Sequence, residues 1–297
     1  MYQLDCTTTI FKFTSSNPLA LQVPSGATVE IETQDCFANQ IQTPEDRLDS
    51  MDWGRVNPAT GPIFIEGAAP GDVLKVEILD IKLAAQGVAA AGEGLGPLGT
   101  QMQGLTSKLI PIKDEKAVFG NQLKIPLKPM IGVIGVAPAG EEINCGTPGP
   151  HGGNMDNTMM GAGATVYFPI FTPGALFALG DVHAVMGDGE IGGTGVEIPA
   201  RITVRLHVMK GFTLENPVLE NADYFTTIAS APTLDEAVDR SVQDMASILS
   251  RIGLSLPDIT MLMSIAGHTQ ICQVVDPLRT ARYVMPKWIL AKYNFKF

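Results

Sequence analysis

The residue types best suited to chemistry lie in one stretch, Gly180-Asp181-Val182-His183-Ala184-Val185-Met186-Gly187-Asp188-Gly189-Glu190. It follows an apolar run, Leu176-Phe177-Ala178-Leu179, that reads as a strand. Side chains alternate along a strand, so Asp181 and His183 share a face. Asp188-Gly189 is a hairpin-turn signal. A two-residue loop would leave Glu190 roughly 13 Å along the ladder from His183. A four-residue loop, Met186 to Gly189, brings it opposite Val185, roughly 7 Å along. The second arrangement is expected, with Glu190 near the site but not touching His183. A carboxylate and an imidazole on one face, with a further carboxylate close by, can hold a divalent metal beside a general base. A surface hairpin with a hydrogen-bonded Asp–His pair has the same spacing.

A second stretch, Thr147-Pro148-Gly149-Pro150-His151-Gly152-Gly153-Asn154-Met155-Asp156-Asn157, supplies imidazole, amide and carboxylate within six residues. The Gly152-Gly153 pair allows close backbone approach to a ligand, with N–H groups aimed at it. Asn and Asp also favour turns, which explains the composition equally well. Asp35 stands at the end of an early strand beside Cys36, where a lone acid is commonly a turn residue. Cys145 is a candidate thiol nucleophile, but thiol amidases need a nearby base, and no lysine lies within ten residues of it. His207 alternates into an apolar strand, and His268 follows a helix-ending glycine. Both read as structural.

The elements that must position these residues are mostly short strands. Leu21-Gln22-Val23 and Thr28–Thr33 flank a turn at Pro24-Ser25-Gly26; Ile63–Gly67 and Val73–Ile81 flank another at Pro70-Gly71-Asp72. Residues 83–104 are small and glycine-rich and read as a long surface loop. Their Gly94-Leu95-Gly96-Pro97-Leu98-Gly99 has a dinucleotide-type spacing, but the proline and Gly104 prevent a helix from opening there, so a flexible lid or a plain loop is expected rather than a nucleotide loop. Strands resume over 107–136, 164–169, 175–185 and 197–208. After residue 232 the character changes. Thr233-Leu234-Asp235-Glu236 is a capping box, Gly253 a stop, Ser255 a second start and Gly267 a second stop. Strands first and helices last predict a mainly β, α+β chain: one unit over 1–297, strand-rich over 1–232 and helical over 233–297.

Composition agrees. Glycine (31) and proline (21) are abundant in the 297 residues, and charged residues are only 17%. That suits short strands and tight turns better than long exposed helices. The net charge of −11 argues against nucleic acid or an anionic membrane as partner, since both call for a basic footprint. The first residues show no basic region followed by an apolar run, and Cys6, Cys36, Cys145 and Cys272 form no C-x-x-C pair. Free thiols and a cytoplasmic location are expected.

Taken together, the segments resemble the acetamidase/formamidase family over about residues 20–290. The matching pieces are Asn57-Pro58-Ala59-Thr60-Gly61-Pro62, Gly67-Ala68-Ala69-Pro70-Gly71-Asp72 and Ile131–Pro138. More specific are Gly152–Asn157, Gly180–His183 with Gly187–Glu190, and Gln273-Val274-Val275-Asp276-Pro277. The resemblance implies a β-sandwich-like scaffold with long loops and added helices, a homodimer or higher homo-oligomer, and hydrolysis of acetamide, formamide or similar short amides to carboxylate and ammonia. It also implies a divalent metal, zinc above all, with calcium in some members. On that reading Asp35, Asp181 and His183 hold the metal and Glu190 is the base. Asn154 stabilises the oxyanion, and Gly152, Gly153, Asp156 and His151 line the substrate. Two alternatives stand beside it: a cysteine-dependent amidase using Cys145, and a non-catalytic binding protein on the same scaffold.

Overall fold

Alternation in the early segment is realised as a strand, Ala27–Thr33, that buries every second side chain. It lies inside a nine-stranded sheet in a computed structural model that describes every residue except 121 and 296. In sheet order the strands are Tyr2–Leu4, Ala27–Thr33, Ala200–Met209, Val73–Leu83, Thr165–Pro169, Val218–Glu220, Tyr224–Ala231, Arg279–Pro286 and His268–Gln273. A second sheet is formed by Gly152–Asn154, Met130–Gly135, Phe177–His183, Ala59–Ile65 and Thr9–Ile10, with Leu21–Val23 pairing parallel to Ala59–Ile65.

The two sheets share one apolar core. Val29, Ile31, Leu74, Val76 and Phe168 from the larger sheet meet Ile63, Ile65, Ile134, Phe177 and Leu179 from the smaller. This is a sandwich, in which each inner face is buried by the other. A second cluster lies under the helices α1 (Leu234–Leu249) and α2 (Leu256–Ala266), where Met245, Leu249, Ile259 and Met263 cover Tyr167, Phe225 and Met285 of the larger sheet. Both helices start where the sequence places them. Thr233 Oγ1 accepts from Glu236 N–H at 3.3 Å, and Ser255 Oγ accepts from Asp258 N–H at 3.3 Å. Gly253 takes the left-handed conformation (φ 81°) that ends the first. Among the described residues, no single helix is long and apolar enough to cross a membrane.

Two expectations change. The part after residue 232 is not all helix: His268–Gln273 and Arg279–Pro286 are strands that complete one edge of the larger sheet. Arg279–Pro286 pairs with Tyr224–Ala231 across the intervening helices, a non-local contact with no local signature, and His268–Gln273 then pairs with Arg279–Pro286. Nor is 83–104 a single loop. Gln86–Gly92 pairs with Leu105–Lys113, and the tip, 93–104, is a loop with one 3-10 turn at Gly99–Gln101. Small residues in Gly87-Val88-Ala89-Ala90-Ala91 are used here because neighbouring backbone comes close; a Cβ at Gly87 would lie 2.6 Å from the Glu197 carbonyl oxygen.

Core position decides which changes matter. Ile134, fully buried between the sheets, should lose about 2–5 kcal/mol of stability on Ile134→Ala, read by denaturant unfolding. Ile265→Ala, at a residue 83% exposed on α2, should stay within about 0.5 kcal/mol.

Candidate active site

Strands of both sheets run out at one place, and the carboxylates of their ends converge there on His183. Its Nε2 lies 3.1 Å from Glu197 Oε2, 3.5 Å from Asp181 Oδ1 and 3.8 Å from Asp156 Oδ1. Donor atoms of Asp156, His183 and Glu190 all lie within 4.8 Å of one another, as do those of Cys36, Asp181 and Glu197. All six residues are buried.

Local backbone conformation makes this crowding possible. Asp181 falls between the Ile131–Val182 and Val133–Gly180 pairs, which puts Gly132 opposite it. The carbonyl of Gly132 accepts from Met155 N–H (3.2 Å) and Asp156 N–H (3.4 Å) on its other side. A Cβ at residue 132 would collide with the carboxylates of both Asp181 and Asp156. Glycine there is what lets the two acids face one another. Asp156, Asp181 and Glu190 all hold left-handed backbone angles (φ 43°, 55° and 48°). Such conformations cost energy in non-glycine residues and cluster at functional sites.

Asp35 is oriented by its own turn. Its Oδ1 accepts from the N–H groups of Phe37 (3.0 Å) and Asn39 (2.8 Å), while its buried Oδ2 has no partner. Burial, opposed by those two hydrogen bonds and assisted by the Asp181 charge, raises its carboxyl to about 6. Asp156 is raised by burial and then by Asp181, and Glu190 by burial and then by Asp156. Burial likewise raises Glu197, against the pull of His183. For His183, burial works against the charged imidazole, but Glu197 and Asp181 override it and hold the ring well above its ordinary value. Among the described residues, no lysine or arginine pairs with any of these acids.

Asp181, His183 and Glu190 thus stand together, and Asp156 joins them among the charged donors. Glu190 arrives by a different route from the one its spacing suggests. The strand ending at His183 pairs beyond it with 196–198, through Ala184 N–H to Val196 O (2.8 Å) and Val196 N–H to Val185 O (3.0 Å). The connection is therefore longer than four residues, and it is Glu197, not Glu190, that stands opposite His183. Glu190 sits in the tip, where turns from Gly187 and to Gly193 fold it back towards the imidazole.

The glycine-rich stretch behaves differently from its expected role. Gly152 N–H is occupied by the Gly149 carbonyl (3.0 Å), so it is not free for a ligand. A Cβ at Gly152 would strike Ile134 O and Phe168, and one at Gly153 would strike Thr147 O and His151. These glycines allow tight packing that delivers Asn154 and Asp156. His151 packs edge-on to Phe13 at 5.2 Å, and burial lowers it to about 4. Asn154 is buried with its Oδ1 unpartnered.

Three participants escape the spacing argument. Glu197 opens the apolar segment 197–208, where a carboxylate heading a buried strand is the signal. Cys36 is next to Asp35. Asp276, half-buried, brings its carboxyl to Asp156 and Asn154, and burial followed by the Asp156 charge raises it. Cys145 lies elsewhere, buried with its thiol donating to Ile10 O at 3.6 Å and pushed up by burial. His207 is part-exposed beside Glu77, 3.6 Å away. All four cysteines are free.

These features define a class: an α+β sandwich protein whose buried centre is a ring of carboxylates around one histidine. The chain belongs to the acetamidase/formamidase family, whose model matches residues 11–144 and 143–291. It is 56% identical to a predicted acetamidase/formamidase of Thermoanaerobacter tengcongensis of known structure, covering 100% of this chain and 99% of that one at a TM-score of 0.98. An acetamidase structure from Bacillus halodurans is 47% identical, with 99% and 100% coverage and a TM-score of 0.96. The acetamidase of Mycolicibacterium smegmatis is 26% identical over 260 residues, 65% of this chain and 64% of that protein. The chain spans 62–65% of the length of the curated relatives it matches.

The Asp35 environment yields a pH test. A folded carboxyl raised from 3.8 to about 6 holds its proton more tightly than the unfolded chain does. That contribution to stability is present below 3.8 and lost as pH rises through about 6. The loss amounts to at most about 3 kcal/mol. Asp35→Asn keeps the Oδ1 acceptor and removes the charge. In chelator-treated protein it should raise Tm at pH 8, with the gain fading towards pH 4. An equal gain at both pH values would contradict the assignment.

Proposed function

We propose that the chain hydrolyses short linear amides, acetamide and formamide among them, to the carboxylate and ammonia at the His183 centre. The observation carrying this reading is the set of buried donor atoms without hydrogen-bond partners. They include both nitrogens of His183, both oxygens of Asp156, Glu197 Oε2 and Asp35 Oδ2. Buried polar atoms are ordinarily satisfied, so a concentration of unsatisfied polar atoms around one imidazole calls for a ligand. His183 Nε2 lies 3.5 Å from an Asp181 oxygen and 3.8 Å from an Asp156 oxygen, spacings that fit donors around a divalent cation. A tetrahedral shell with bonds of ~2.0–2.1 Å spaces its donors ~3.3 Å apart. Asp181, His183 and Asp156 would hold the ion, with Asp35 supplying a further oxygen, and that donor chemistry suits zinc. On this reading Asp156 is a ligand more than a substrate contact.

When bound, the ion would acidify a water molecule and polarise the amide carbonyl. The remaining work belongs to the chain. Glu190, whose carboxyl is raised by burial and by Asp156, takes the proton from the attacking water. As the C–N bond breaks, it returns that proton to the departing nitrogen, which leaves as ammonia. Asn154 offers its side-chain amide to the oxygen that gains charge. The loop 93–104 excludes water from the Glu190 side: Leu95 packs by Gly193, and Gly96 abuts the Ile191 carbonyl. Acetamide has few atoms to bind, so this preorganisation must supply most of the rate.

The thiol alternative loses support from Cys145, which is buried, has its thiol pushed up by burial and donates to the Ile10 carbonyl, not to a base. Four free cysteines support a reducing, cytoplasmic setting. Exposed Leu256, Met261, Ile265 and Trp288 support association with a second copy.

Metal analysis paired with ammonia release from a panel of short amides tests the proposal. Chelation should abolish release and zinc restore it. Glu190→Gln should lower kcat by about 10²–10⁴-fold while the protein stays folded and metal-loaded. Cys145→Ala should remain active. Release that survives chelation and disappears in Cys145→Ala would overturn the metal reading in favour of the thiol.

A further inference from the structure

Arg282 lies in the Arg279–Pro286 strand and is 2% exposed, far from any surface role. It hydrogen-bonds neither Glu190 nor Asp156, yet its guanidinium reaches the two loops that carry them. Nη2 donates to Asp188 Oδ2 at 2.6 Å, two residues before Glu190. Nη1 donates to Asn157 Oδ1 (2.7 Å) and Thr158 Oγ1 (3.3 Å), directly after Asp156. Nε donates to Gln270 on the neighbouring strand (2.7 Å). Thr158 Oγ1 in turn donates to the other Asp188 oxygen at 2.7 Å, which closes a ring between the two loops. The Glu190 loop is also stitched to the sheet edge through Gly189 N–H to Cys272 O (2.8 Å) and Val274 N–H to Gly189 O (3.2 Å).

We propose that Arg282 and Asp188 form a clamp that fixes Glu190 and Asp156 relative to each other, and that both are positioning residues for the reaction. This rests on the active-site reading given above. The physical need is plain. Glu190 and Asp156 are close and buried, and both occupy strained backbone conformations on separate loops, so their alignment needs a restraint from outside the pair. Arg282 supplies it with donors on three sides of one rigid plane, a geometry that a lysine ammonium cannot reproduce. Outer partners of this kind typically change metal affinity or activity by about 10–100-fold.

Asp188→Asn is the decisive variant, because the Asp188 side chain is 42% exposed and its replacement should not unfold the protein. Arg282→Lys is the companion, and the pair together completes a double-mutant cycle. The clamp predicts that amide hydrogen exchange rises in both loops at once, 155–160 and 187–193, in Asp188→Asn. It predicts a fall in kcat of about 10–100-fold with a smaller change in KM, weaker zinc binding measured against a competing chelator, and a double variant little worse than either single one. Exchange that rises in one loop or neither, or kcat and zinc affinity unchanged within about twofold, would overturn it. A lowered Tm with unaltered kcat would do so too, by assigning the network to stability alone. Wild-type protein that releases no ammonia from any short amide would count against the active-site reading only, since the paired exchange still decides the clamp.

Discussion

Everything near His183 follows from one constraint: negative charge has been buried with no matching lysine or arginine among the described residues. Asp35, Asp156, Asp181, Glu190 and Glu197 are buried around a single imidazole, and the half-buried Asp276 adjoins them. Two like charges ~4 Å apart repel by about 4 kcal/mol at an effective dielectric of ~20. Several such pairs cannot all be ionised unless a cation or protons intervene. The raised carboxyls and the raised imidazole are the same fact seen from the proton side. The divalent ion proposed above would meet the requirement from the other side and would couple folding to its binding.

A fold that concentrates charge must hold it by stronger means than the charges themselves. Here the means are mostly backbone. Strands paired along their length cannot drift, so Asp181 and His183 are fixed by the Met130–Gly135 ladder, and Glu197 by its bridge to His183. Gly132 removes the one side chain that would separate Asp181 from Asp156. Asp35 is tied by two N–H groups of its own turn, so that a single oxygen is left to face the site. Gln273 does the same for the last acid: its Oε1 accepts from Val275 and Asp276 N–H, while its Nε2 donates to Leu278 O and Thr280. The sandwich core beneath, packed from both sheets, makes this rigidity affordable.

What could be read beforehand was whatever local sequence encodes. Alternation in 28–33, the capping box at 233–236 and the stops at Gly253 and Gly267 are local physics, and they reappear as written. The clustering of Asp181 with His183 was legible from period two. The position of Glu190 was not, because Asp188-Gly189 suggests a tight hairpin while the actual partner of His183 lies at Glu197, beyond a longer connection. Ladder pairing between distant segments carries no signature in either segment alone. Strand 279–286 escaped for the same reason, since it docks on the distant Tyr224–Ala231, and Arg282 and the edge strand 268–273 that pairs with it escaped alongside. Gly152-Gly153 looked like a ligand-approach motif, since a positive φ serves close packing and ligand contact alike.

On the amidase reading proposed above, the same reasoning bears on how the site would select so small a substrate. Asn154, Asp276 and Asp156 adjoin one another, and Asn154 Oδ1 and Asp276 Oδ2 have no partners. An unsubstituted amide carries two N–H donors on its nitrogen, and an alkyl group on that nitrogen would replace one of them. Buried acceptors left unpaired cost about 1–3 kcal/mol each, so a site of this kind discriminates by what a poor substrate fails to satisfy. The acidic surroundings that make the centre costly to fold would thereby also favour a nitrogen rich in hydrogens, first as the amide and then as departing ammonia.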